Sequence, residues 1–231
     1  MSQDLITPKI YLIRHGESLH NVQRPYPFRD APLTASGHAS TKDIRLPQTP
    51  DLIIISPMTR TIQTAFNAFP TLATIEDTTR DLQSEIAQPK PDILIWPSLR
   101  EIWPTICNKP LTRTELETKF PFLDFSLCSK DGEYVEETPI EISARAKTVR
   151  RQLKQLSARY LNIAVVSHRG LIAYLVKGRR FDVGEVRTYR WASEQEEQEK
   201  EERWGLHCET CTEWDFGPDV LVWIGSGDQT R

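Results

Sequence analysis

The chain has 231 residues, of which 39% are hydrophobic and 26% charged, and its formal net charge is -3. That length supports one sizeable core, read as a single domain over 1–231, and the slightly acidic balance excludes a general nucleic-acid binder, so an anionic ligand must be caught by local charge. No apolar run approaches the roughly 20 residues of a membrane helix, and the start Met1-Ser2-Gln3-Asp4 has no basic leader, which predicts a cytoplasmic protein with no membrane partner.

In chain order, Lys9 to Ile13 is an apolar, β-branched run that ends in Arg14-His15-Gly16-Glu17, so a buried strand delivers a cation and an imidazole to the carboxyl edge of a sheet. In open α/β sheets that edge is where ligands bind. Residues 24–32 are dense in proline and read as a loop over this strand's end. Thr34 is the expected N-cap of a helix that stops before Pro47. Asp51 to Ile55 is a second buried strand, and Ser56-Pro57 is expected to cap the helix through Phe66, with Arg60 near its first turn. Residues 71–91 carry mixed polar signals and little structure is assigned to them. Asp92 to Trp96 is a third strand, leading into a loop that ends at Glu101.

Residues 102–137 mix prolines, aromatics and acids and are expected to form a lid or flap, with one short helix marked by the capping box Thr112 to Glu115. Trp103, Phe120, Phe122 and Phe125 offer either an apolar wall for an organic leaving group or anchors for the flap. Thr138-Pro139-Ile140-Glu141 opens a long amphipathic helix, whose basic residues, Arg145 and Arg150 among them, are expected to be solvated. Asn162 to Val166 is the strongest strand pattern and ends in Ser167-His168-Arg169-Gly170 before an apolar helix. Val186 to Trp191 alternates like a strand at an edge. Residues 193–231 are expected to be a partly packed C-terminal extension. Its His207, Cys208 and Cys211 supply only half of a zinc site, so no metal is expected.

Neighbouring parallel strands would bring Arg14, His15, Arg60 and His168 together, with Glu101 on a loop beside them. Two guanidiniums suit a phosphate dianion, a neutral imidazole can attack phosphorus, and a carboxyl group can protonate the departing alkoxide. Each feature alone is ordinary in a structural role, and it is their joint occurrence that points to chemistry.

Arg14-His15-Gly16-Glu17-Ser18 with Asn21, Pro32-Leu33-Thr34 with Gly37, Ser56 to Arg60, Leu99-Arg100-Glu101 and Val166-Ser167-His168 resemble, in the same order, the motifs of the histidine phosphatase superfamily, also called phosphoglycerate mutase-like. The resemblance implies a three-layer α/β/α sandwich with a mostly parallel central sheet. It also implies phosphomonoester hydrolysis without a metal or other cofactor, through a phosphohistidine. It makes His15 the nucleophile and Glu101 the proton donor, and it places Arg14, Asn21, Arg60 and His168 around the phosphate of a small substrate. Chemically, His168 would be catalytic by holding charge on the equatorial phosphate oxygens. The segment Ile102-Trp103-Pro104-Thr105 departs from the glycolytic mutases, which argues against mutase activity, and the layout is similar to the small fungal phosphatases of the family. Arg169 stands where many members have glycine and is read as a further substrate-binding cation. It also keeps open a weakly catalytic anion-binding pseudoenzyme. The same scaffold used for non-phosphate biosynthetic chemistry is a third reading.

Overall fold

The computed structural model describes residues 7–72 and 90–225. Most of residues 71–91, whose sequence signals little structure, lies outside them. The central sheet has six strands: β1 (Lys9–Arg14), β2 (Leu52–Ile55), β3 (Asp92–Ile95), β4 (Asn162–Ser167), β5 (Val186–Trp191) and β8 (Leu221–Ile224), in the order β3-β2-β4-β1-β5-β8. β3, β2, β4 and β1 run parallel, while β5 is antiparallel to β1 and to β8. A separate hairpin joins β6 (Trp204–Leu206) to β7 (Glu213–Asp215).

The apolar runs read as doubly buried strands because alternate side chains enter two different cores. Ile10, Leu12, Ile54, Ile163 and Val165 face α5 (Pro139–Leu156) and α6 (Arg169–Leu175). Tyr11, Ile13, Ile53, Ile55 and Val166 face α3 (Thr59–Ala68), where Ile62 and Ala65 meet them. The two cores on opposite faces make the three-layer sandwich expected from sequence. The other α-helices among the described residues are the short α1 (Leu19–Val22), α2 (Ala35–Thr41), α4 (Arg113–Lys119) and α7 (Lys200–Arg203). Thr34, Thr112 and Thr138 cap α2, α4 and α5 as their spacing predicts.

Three local expectations are corrected, and one open alternative is resolved. Ser56 does not cap α3, whose N-cap is Met58 without a side-chain bond. The Ser56 hydroxyl is taken by His168, and buried Asp30 from the proline-rich loop supplies the carboxylate instead, accepting from the Thr59 N–H at 2.7 Å and the Thr59 hydroxyl at 2.5 Å. β5 is not an edge strand, because the chain's tail returns as β8 beside it. The basic face of α5 is not simply solvated: Arg150 is 1% exposed and donates to the Tyr174 carbonyl at 2.9 Å. Of the flap aromatics, Phe125 is buried in the second core, Phe120 packs against it and Phe122 lies 5.2 Å from the Phe66 ring, so these three anchor the segment to the body.

Candidate active site

Parallel register brings the sequence-predicted residues to one edge. Arg14 pairs with Ser167 across β1 and β4, and the His15 N–H donates to the Ser167 carbonyl at 3.0 Å. On the other side of β4 the Ser56 N–H donates to the Val166 carbonyl at 3.1 Å. The loop after β3 is tied to the same edge, since the Ser167 hydroxyl donates to the Leu99 carbonyl at 2.9 Å. Arg14, His15, Asn21, Glu101 and Arg169, joined by His20 and Arg24, line a cavity of about 300 Å³. Arg60 and His168, both wholly buried, lie beneath it.

The hydrogen bonds fix both tautomers. Nδ1 of His15 lies 2.7 Å from the Gly16 carbonyl oxygen, which can only accept, so Nδ1 carries the proton and Nε2 keeps its lone pair. The opposite holds for His168. An Arg60 Nη2–H donates to its Nδ1 at 3.1 Å, so Nε2 carries the proton and donates to the Ser56 hydroxyl at 2.8 Å. The two rings are 5.4 Å apart at their centroids. His168 therefore supports His15 from below, with both of its nitrogens already engaged.

Arg60 also donates from Nη2 to Asn108 Oδ1 at 2.9 Å and from Nη1 to the Cys107 carbonyl at 3.2 Å. Arg14 is held at Nη1 by the Phe181 carbonyl at 2.7 Å. Burial first, then the charge of Arg169, pushes the Arg14 guanidinium down to about 10. Arg169 itself is aimed by Glu209, whose side chain is 4% exposed and whose carboxylate meets Arg169 Nε at 2.9 Å and Arg180 at 3.0 Å.

Glu101 rests on the start of α6, with the Gly170 N–H 3.4 Å from its Oε2 and the Ile102 N–H 2.8 Å from its Oε1. A Cβ at Gly170 would collide with the Glu101 carboxyl, so glycine is needed there for a close approach rather than for a turn. The Gly170→Ala protein is expected to fold, because α6 keeps its backbone, yet to lose roughly 10- to 100-fold in kcat as the carboxyl group is displaced by about an ångström. Steady-state kinetics beside circular dichroism check this, and an unchanged kcat contradicts it.

The residues at the strand ends are legible in the sequence, whereas those that support them are not. Arg145 of α5 donates to the Ser98 carbonyl at 2.8 Å and the Arg100 carbonyl at 3.0 Å and is paired with Glu137 at 2.7 Å, which clamps the loop carrying Glu101. Its position on a polar helix face gave no signal for that role. His20, whose Nδ1 is 2.5 Å from the Ser18 hydroxyl, lies on a four-residue helix too short to leave a periodic pattern. Glu209 sits between the two cysteines that drew the zinc question. His207 Nδ1 in that turn accepts the backbone N–H groups of Glu209 and Thr210.

Burial first, then the charge of Arg60, holds His15 and His168 well below the usual histidine range, and the same causes push His20 down to about 3. All three are neutral at pH 7. In the unfolded chain each takes a proton near pH 6.5, so the native state binds fewer protons below that point. Stability is then complete above about pH 6.5 and falls as the pH drops through it, by at most about 1.4 kcal/mol per pH unit for each histidine. Asp30, whose carboxyl is raised by burial, works in the opposite sense. The melting temperature is expected to fall between about pH 7.5 and 5.5, and a flat or rising profile contradicts the assignment of three neutral imidazoles.

A family model described as histidine phosphatase superfamily (branch 1) matches residues 10–195. A phosphoglycerate mutase-like protein of Arabidopsis thaliana is 26% identical, the match covering 71% of each chain. Among solved structures, one described as an alpha-ribazole-5'-P phosphatase from Escherichia coli superposes with a TM-score of 0.53 at 22% identity, covering 80% of this chain and 92% of that one. The ecdysone phosphate phosphatase of Bombix mori gives a TM-score of 0.56 at 14% identity, covering 79% and 89%.

Proposed function

Because the chain belongs to the histidine phosphatase superfamily, we propose that it hydrolyses a small phosphomonoester through a phosphohistidine on His15. The observation that carries this reading is the His15 Nε2 lone pair, fixed by the Nδ1–H bond to Gly16, beside a cavity lined by guanidiniums.

In this reading the substrate phosphate lies among Arg14, Asn21 and Arg169. Nε2 forms a bond to phosphorus as the phosphorus–oxygen bond to the alcohol breaks, and Glu101 gives its proton to the departing oxygen. Glu101, now a carboxylate, takes a proton from water. The water oxygen bonds to phosphorus, the nitrogen–phosphorus bond breaks, and inorganic phosphate leaves. Arg14 and Arg169 offset the charge on the transferring group, so guanidiniums do the work that a metal ion does elsewhere. Arg60 contributes its field from below and adds to the burial that keeps the imidazole neutral. Asn108 Oδ1 accepts from the Arg60 Nη2–H, a donor that a phosphate oxygen could otherwise accept from. Residues 102–137, which carry Asn108, act as the flap over the site.

The test is phosphate release from p-nitrophenyl phosphate by the purified protein. The expected result is turnover undiminished by excess chelator and slowed competitively by inorganic phosphate. Tight phosphate binding without turnover on a panel of phosphomonoesters would favour the pseudoenzyme reading instead.

A further inference from the structure

Glu101 borders two cavities. One is the guanidinium-lined space above His15, and the other, about 380 Å³, lies on its flap side, with Trp103, Thr105 and Asn108 lining both. An acid that protonates a leaving oxygen must touch it. A phosphate beside His15 therefore places the ester oxygen at Glu101 and directs the rest of the alcohol into the second space. That volume falls in the range that encloses an organic ligand of drug-like size, far more than a three-carbon acid fills.

The walls say what kind of alcohol fits. Trp103 is 45% exposed and Val135 86% exposed, and Tyr134 stands beside them with the Arg100 guanidinium 4.8 Å above its ring. The two cations of this cavity are spent: Arg100 pairs with Glu137 at 2.9 Å and Lys109 with Glu133 at 3.1 Å. Glu136 also lines it and has no ion-pair partner among the described residues. The balance is opposite to that of the first cavity, where Arg14 and Arg24 have no ion-pair partner among the described residues and Arg169 shares Glu209 with Arg180. An anionic group on the alcohol would meet carboxylates here, whereas an apolar ring would cover Trp103 and Val135.

We propose that this cavity is the leaving-group subsite and that it selects an uncharged, ring-bearing alcohol over an anionic one such as glycerate. The proposal rests on the phosphatase reading. Three primary-alcohol esters of similar leaving-group basicity isolate the subsite from the chemistry: 3-phenylpropyl phosphate, propyl phosphate and 3-phosphoglycerate. The phenyl ester is expected to exceed propyl phosphate in kcat/KM by at least about tenfold, the worth of burying one ring. 3-Phosphoglycerate is expected to fall below both. Val135→Asp, which changes only the far wall, should erase most of the phenyl advantage, and Glu136→Lys should raise 3-phosphoglycerate relative to propyl phosphate.

Equal kcat/KM for the phenyl and propyl esters, or a phenyl advantage untouched by Val135→Asp, overturns the subsite while leaving the phosphatase reading intact. If no ester is turned over, calorimetric binding of 3-phenylpropyl phosphate against inorganic phosphate decides. Tighter binding of the phenyl ester that Val135→Asp abolishes supports the subsite without the chemistry, and equal binding refutes it.

Discussion

Replacing His15 with alanine is expected to lower phosphate release from p-nitrophenyl phosphate by roughly 10⁴-fold or more, the scale seen when a covalent nucleophile is removed. No neighbour can take over. His168 has one nitrogen bound by Arg60 and the other committed to Ser56, and it is wholly buried. His20 spends Nδ1 on the Ser18 hydroxyl and has Nε2 3.3 Å from the Asn21 amide. The fold should survive, because the lost side chain gives up one hydrogen bond, to Gly16, and leaves the strand register untouched. Circular dichroism and a thermal melt of the variant separate loss of chemistry from loss of structure. Rates equal to those of the unaltered protein would remove His15 from the reaction.

Glu101→Gln is expected to act unequally on substrates. Glutamine keeps the shape, but its single oxygen can accept from only one of the Gly170 and Ile102 N–H groups, and it has no proton to give to a leaving oxygen. With an alkyl phosphate the departing alkoxide needs that proton, so kcat should fall by roughly 10²- to 10⁴-fold. With p-nitrophenyl phosphate the leaving group departs unaided. The first step then stays fast while water attack, which needs the carboxylate as base, becomes slow. Rapid mixing should therefore show a burst of nitrophenolate close to one equivalent of protein, followed by slow turnover. The same loss on both substrates, with no burst, would assign Glu101 to positioning rather than proton transfer.

The sequence was most informative where backbone periodicity and chemistry coincide. β1, β2 and β4 are short apolar runs that end abruptly in polar residues, and a parallel sheet places such ends at one edge. Thr34, Thr112 and Thr138 could be read as caps because hydroxyl and acceptor lie at fixed spacing along the chain. Long-range partners had no such signature. Ser56 looks like a cap locally, yet the approach of His168 from β4 claims its hydroxyl, and Asp30 reaches α3 from another loop. Arg145 and Arg150 sit on a helix face that reads as polar until the Glu101 loop and the tail fold against it. The tail carries Trp204, Trp214 and Trp223; Trp214 packs on the first core beside Tyr174, whereas Trp223 is 54% exposed. Pattern alone does not rank such residues, because their fate depends on where β8 returns.

The central claim, a phosphoryl group carried on His15, is tested most directly by trapping it. The Glu101→Gln protein is mixed with phosphate-labelled p-nitrophenyl phosphate, quenched in alkali and mapped by peptide mass spectrometry. The expected label is one phosphoryl group on the peptide containing His15, stable in alkali and lost in acid, and absent from the His15→Ala, Glu101→Gln double variant. Label on a different residue, or steady turnover with no covalent species at any quench time, would contradict the account.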